Sequence, residues 1–167
     1  MTPQHFEASM RRALAQAEQA AAEGEIPIGA VVLDPHGNVL ASAHNSREAS
    51  HDPTAHAEVL ALRAAAERQQ SWRLDGCTLV VTLEPCPMCA GAAVMSRIGT
   101  LVFGAWNDEY GAAGSRWDLV RDRRLNHQVE VFSGVLADEC GAMVREFLDS
   151  RRMKVTGSEE VGGVERP

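Results

Sequence analysis

His56-Ala57-Glu58 and, downstream, Pro85-Cys86-Pro87-Met88-Cys89 place three side chains able to bind a cation beside one carboxylate that is left over. Structural zinc is usually closed by four protein ligands, whereas three leave a coordination position for water, and a nearby glutamate can then move that water's protons. The pattern points to a hydrolytic metal centre, with His56, Cys86 and Cys89 as ligands to one Zn2+ and Glu58 as proton shuttle. Cysteines three apart at a helix start lie on one face, so both sulfurs reach one ion, and the positive helix N-terminus together with the metal favours thiolate. Two thiolates and a neutral imidazole bring the formal charge of the zinc site to zero, yet the ion still lowers the pKa of bound water to roughly 7–9. Glu58 poses a geometric difficulty: two residues from His56 in a regular helix, its side chain would point nearly the opposite way. The pairing works if His56 sits in the first turn or just before regular helix begins.

Each feature also has a plainer reading. Cys-x-x-Cys alone is equally a redox dithiol at a helix N-terminus, or half of a structural zinc site, but neither accounts for His-Ala-Glu. His5, His36 and His127 stand alone and are assigned no metal role, and Cys77 and Cys140, in apolar surroundings, are expected to be core thiols.

The elements that must position these residues follow from periodicity. Thr2-Pro3 reads as an N-cap with proline at the first helical position, and Phe6, Met10, Leu14 and Ala17 continue a helix towards Gly24. Residues 28–33 and 39–43 read as strands around the Asp34-Pro35-His36-Gly37-Asn38 turn. A polar loop over 44–53 leads to a helix from about Thr54 to Arg68, then a strand over 77–83, a helix over 88–96 and a strand over 100–104. After a long loop come a fifth strand over 129–133 and a last helix over 137–152. This alternation predicts an α/β fold, a five-stranded mixed sheet with helices on both faces.

The 167 residues, 45% of them hydrophobic, suit one domain with its own core, assigned to 1–154, while 155–167 lack an apolar pattern and are expected to be a disordered tail. No run approaches the ~20 apolar residues of a membrane span and no leader pattern opens the chain, so a cytoplasmic protein without a membrane partner is expected. Sixteen Lys and Arg against 23 Asp and Glu leave a net charge of −7, which disfavours a polyanion except at a local patch. Arg121, Arg123 and Arg124, or Arg145, Arg151, Arg152 and Lys154, are candidates, each also readable as an ordinary solvated charge.

Longer stretches carry a resemblance. His51-Asp52-Pro53-Thr54-Ala55-His56-Ala57-Glu58, Leu83-Glu84-Pro85-Cys86-Pro87-Met88-Cys89-Ala90-Gly91-Ala92, Ser96-Arg97-Ile98-Gly99, Gly111-Ala112-Ala113-Gly114-Ser115 and Leu136-Ala137-Asp138-Glu139-Cys140 resemble the bacterial tRNA-specific adenosine deaminases over roughly 5–152. The His-x-Glu and Pro-Cys-x-x-Cys signature is an established mark of zinc-dependent nucleobase deaminases at large. The resemblance implies a three-layer α/β/α sandwich of the cytidine-deaminase-like kind, one Zn2+ per subunit, a homodimer, and conversion of adenosine to inosine at the wobble position of a tRNA anticodon stem-loop. A deaminase of a free nucleobase or nucleoside (guanine, cytosine, cytidine) is the alternative, and a non-enzymatic zinc or thiol-redox module a more distant one. By the same resemblance, Asn45 corresponds to an asparagine that contacts the bound nucleoside; as a sequence feature it is also an ordinary turn residue. Trp106 or Tyr110 could stack on bases, although Trp72, Trp106 and Trp117 read equally well as core. Asn107 and Glu109 depart from the aspartate and lysine common in the family. Asn107 is assigned to substrate binding as an acceptor for a ribose hydroxyl that, unlike aspartate, does not repel phosphate, which implies weaker discrimination against single-stranded DNA.

Overall fold

The computed structural model describes residues 3–156. Strands β1 (Gly29–Leu33), β2 (Val39–His44), β3 (Thr78–Leu83), β4 (Thr100–Ala105) and β5 (Glu130–Phe132) form one sheet in the order β2-β1-β3-β4-β5. β1 is antiparallel to β2 and β3, while β3, β4 and β5 run parallel. The helices are α1 (Glu7–Ala22), α2 (Arg47–Ser50), α3 (Ala57–Gln69), α4 (Pro87–Met95) and α5 (Ala137–Thr156).

The central strands are apolar on both faces, as strands covered on both sides must be. Ala30, Val32, Leu79, Val81, Leu101 and Phe103 pack with α3 and α4, and the alternate residues Val31, Leu33, Val80 and Val102 pack with Phe6, Met10 and Leu14 at the α1 end and with Cys140 of α5. Two cores thus share one sheet, the expected three-layer sandwich. The hairpin between β1 and β2 is closed by Asp34, whose Oδ1 accepts the His36 and Asn38 N–H groups, with Gly37 at φ +85°.

Several boundaries differ from the periodicity reading. Thr2 lies outside the described residues; Pro3–Phe6 is a 3-10 turn, and regular helix begins only at Glu7. α3 starts at Ala57 rather than Thr54, because Asp52 Oδ1 accepts both the N–H and the hydroxyl of Thr54 and folds that stretch into a turn. The loop expected over 44–53 contains α2, whose Glu48 and Ala49 N–H groups are taken by the buried Glu25 carboxylate. A 3-10 turn, Leu119–Arg121, interrupts the long loop, and β5 keeps three residues. α5 continues to Thr156, so Val155 and Thr156 are helical; the rest of the expected tail, 157–167, lies outside the described residues.

Candidate active site

The site forms where the carboxyl ends of the parallel strands β3 and β4 meet the start of α3, the crevice in which open α/β sheets generally bind ligands. His56 is the residue before α3 and Cys86 the residue before α4, both in extended conformation with ψ of 147° and 171°. His56 therefore lies outside the helix that carries Glu58, which removes the geometric difficulty of their two-residue spacing. Pro87 opens α4, and Cys89 follows within its first turn.

The three donors converge. His56 Nδ1 is 3.7 Å from Cys86 Sγ and 3.5 Å from Cys89 Sγ, and the two sulfurs are 3.6 Å apart. A tetrahedral zinc with Zn–S of about 2.3 Å and Zn–N of about 2.05 Å sets S···S at ~3.8 Å and S···N at ~3.6 Å, so the triangle fits that ion. Among the described residues no other group of histidine, cysteine or acidic side chains gathers in this way. Glu58 is 3% exposed, and its Oε2 is buried with no hydrogen-bond partner in the protein, an acceptor left for a molecule in the crevice.

The electrostatics are those of a site built to hold charge. Hydrogen bonding from the Cys89 thiol holds Cys86 well below the ordinary thiol range, while the same bond, together with burial, pushes Cys89 up. The hydrogen bond with Cys86 raises His56. Burial raises Glu58 above its ordinary value. Cys77 and Cys140, by contrast, are fully buried thiols raised by desolvation, Cys140 to about 12, as expected of core residues.

A cavity of about 740 Å3, within the usual range for ligand pockets, opens in front of these groups and is walled by Asn45, Arg47, Met88 and the run Trp106–Tyr110. Asn45 is 2% exposed, and its Oδ1 accepts the N–H of Ala57, the first residue of α3. The oxygen thus anchors the start of α3 across twelve residues rather than closing a local turn, and Asn45 also lines the cavity.

Asn107 also lines the cavity, but its Oδ1 accepts the Tyr110 N–H at 3.1 Å. That bond uses one of the two lone pairs of the oxygen expected to meet a ribose hydroxyl, and the Nδ2 donor is what further distinguishes asparagine from aspartate here. All three tryptophans are exposed, Trp72 at 62% and Trp106 and Trp117 at 48%, so none is core. Only Trp106 of the three walls the cavity, held edge to face against Phe103 at 4.8 Å, and Tyr110 walls it beside Trp106.

Among the arginines, Arg121 and Arg124 are paired with Asp118 and Asp122, and Arg152 lies 3.8 Å from Asp149. Arg151 donates to the Gly24 carbonyl and borders, with Arg47, a small cavity of about 70 Å3 next to Asn45. The sequence reading missed Arg47, the α2 anchor Glu25 and the buried Glu84. The available signal was a carboxylate directly following the apolar strand Thr78–Leu83.

The cytidine and deoxycytidylate deaminase zinc-binding region matches residues 3–105. The tRNA-specific adenosine deaminase of Bacillus subtilis is 48% identical over 145 residues, 87% of this chain and 89% of that protein. That of Haemophilus influenzae is 50% identical over 146 residues, covering 87% and 84%. The chain belongs to the tRNA-specific adenosine deaminase family. Among solved structures, a tRNA:A34 deaminase studied for A-to-I editing at the wobble position of transfer RNA superposes with a TM-score of 0.78 at 38% identity, over 84% of this chain and 99% of that one. The guanine deaminase of Nitrosomonas europaea superposes with a TM-score of 0.72 at 30% identity, over 84% and 83%. Like the rest of its family, the chain is a zinc-dependent deaminase, and the donor set above suits that cofactor.

Proposed function

We propose that this enzyme hydrolyses adenosine to inosine at the wobble position of tRNA anticodon stem-loops, with His56, Cys86 and Cys89 holding the zinc and Glu58 moving the protons. The observation that carries the chemistry is the unpartnered Glu58 Oε2 beside a three-donor cluster of zinc dimensions. When bound, zinc supplies the Lewis acidity that makes water a nucleophile near neutral pH. Glu58 takes a proton from the water that attacks C6 of adenine and gives it to the ring nitrogen N1, then takes the proton of the new C6 hydroxyl and gives it to the 6-amino group, which leaves as ammonia as the C6–N6 bond breaks. The Asn45 Nδ2 donor orients the nucleoside, and Trp106 and Tyr110 offer faces for stacking unpaired bases.

An anticodon loop suits an acidic chain because its bases are already unpaired, so extruding the target costs less than from a duplex. Arg47, which walls the pocket beside Asn45, and Arg151, at the small neighbouring cavity, supply the local positive charge that the net charge of −7 does not. The reading includes a homodimer, which rests on the family resemblance, and a cytoplasmic location, which suits a tRNA substrate; among the described residues no helix is long and apolar enough to cross a membrane. Residues 1–154 are read as the deaminase domain.

The test is incubation of the purified protein with total tRNA, free adenosine, cytidine and guanine, followed by product analysis. Inosine in tRNA is expected. Product from a free base or nucleoside with none in tRNA supports the alternative that the guanine deaminase likeness keeps open. Asn45→Asp separates the two jobs of that residue: it keeps an acceptor for the Ala57 N–H but replaces the amide donor. It is expected to leave the melting temperature unchanged within about 2 °C and to lower kcat/KM on a stem-loop about tenfold or more, the effect of losing one buried hydrogen bond. Equal loss of stability and activity would reduce Asn45 to a helix anchor.

A further inference from the structure

Glu84, which follows β3, is 1% exposed, and among the described residues no lysine or arginine pairs with it. A buried carboxylate needs compensation, and here the partners are backbone N–H groups of a single loop. Oε2 accepts from Asn107 at 3.1 Å, and Oε1 accepts from Ala113 and Ser115 at 3.0 Å each. That loop is folded on itself: the Asn107 carbonyl accepts the Gly111 N–H at 2.8 Å and the Ser115 hydroxyl at 3.0 Å, while Asn107 Oδ1 holds Tyr110. Gly111 has to be glycine, since a Cβ there would fall on Glu84 Oε2 and Ser115 Oγ. One residue on from Glu84, the Pro85 carbonyl accepts the Ala112 N–H at 2.8 Å, and the next residue is Cys86. The stretch that delivers a zinc donor therefore also carries the pocket wall Trp106–Tyr110.

We infer that Glu84 is a positioning residue: an anionic pin that fixes the wall Trp106–Tyr110 at a set distance from the metal donors and so determines how tightly the target nucleotide is gripped. Glu84 also borders the cavity, but its two carboxylate oxygens are committed to the three backbone N–H groups, so it acts through the loop. The inference rests on the pocket being the nucleotide site proposed above.

Glu84→Gln tests it because the pin is asymmetric. Glutamine keeps its oxygen on Ala113 and Ser115, where two donors call for an acceptor, and turns its NH2 towards the Asn107 N–H, donor against donor. Expected are one zinc per chain, kcat on an anticodon stem-loop within about threefold of the unmodified enzyme, and KM raised roughly tenfold, the factor that follows from one buried donor left unsatisfied. Amide hydrogen exchange should accelerate over Asn107–Tyr110 and stay slow at Ala113 and Ser115.

A zinc-loaded, folded variant with unchanged KM overturns the proposal, as does a fall in kcat with KM unchanged. If the variant loses zinc or does not fold, Ser115→Ala takes its place, removing the hydroxyl on the Asn107 carbonyl while leaving Glu84 intact. A KM rise of about threefold supports the pin there, and an unchanged KM overturns it. Turnover by the unmodified enzyme on the same stem-loop is a separate arm: its absence sinks the substrate reading, while the exchange pattern still decides whether Glu84 pins the loop.

Discussion

Glu58→Ala is expected to cut turnover on an anticodon stem-loop by about 10²–10⁴-fold, the usual contribution of a positioned acid–base group, while the folded protein keeps one zinc per chain. The two effects separate because the three donors form the zinc triangle without Glu58, whose Oε2 has no protein partner and is free to serve the reacting water. Cys86→Ala is the complementary variant. It removes one of three donors, and both zinc and activity should go. Metal content by mass spectrometry, measured beside single-turnover inosine formation, decides the assignment: zinc lost from a folded Glu58→Ala protein would make the carboxylate a ligand rather than a proton carrier.

Gly29→Ala is expected to destabilise the protein by about 3 kcal/mol or more, at or beyond the upper end of ordinary overpacking. At the start of β1, α1 lies directly over the glycine: an added Cβ would fall on the Ala13 carbonyl oxygen, 2.6 Å from the Ala17 nitrogen and 2.7 Å from Gln16 Cβ. Two of these three are helix backbone, so no rotamer change relieves the clash, and α1 must shift away from the sheet. At roughly 2–4 °C per kcal/mol for a chain of this size, the melting temperature should fall by about 6–12 °C. A loss under about 1 kcal/mol in denaturant titration would mean that α1 slides without penalty and is not a fixed layer of the fold.

What the sequence made legible divides along the reach of the interactions. That His56, Cys86 and Cys89 gather was readable because ligand chemistry is dense in two short motifs, and the sheet was readable because strands buried on both faces are apolar throughout. How Glu58 can face the same crevice as His56 from two residues further on was not. It depends on His56 lying just outside α3, a start held by the Asn45 oxygen twelve residues away in sequence. Glu84 was invisible for the same reason, its partners lying 23 to 31 residues downstream. Thr54 looked like a helix start until the Asp52 side chain captured it in a turn. Asn107 was assigned by its type, whereas the orientation of its amide is set by the Tyr110 N–H that its oxygen accepts.

The two outer strands bear on solubility. A sheet edge exposes unpaired N–H and C=O groups on which another chain's strand can grow, and long flat edges invite aggregation. β5 has only three residues and begins with the charged, exposed Glu130. At the opposite edge the β1–β2 register slips at Val32/Leu33, and Arg68 sets a guanidinium on the Leu40 carbonyl. Neither edge is a good template for an added strand, so growth by extension of the sheet is disfavoured.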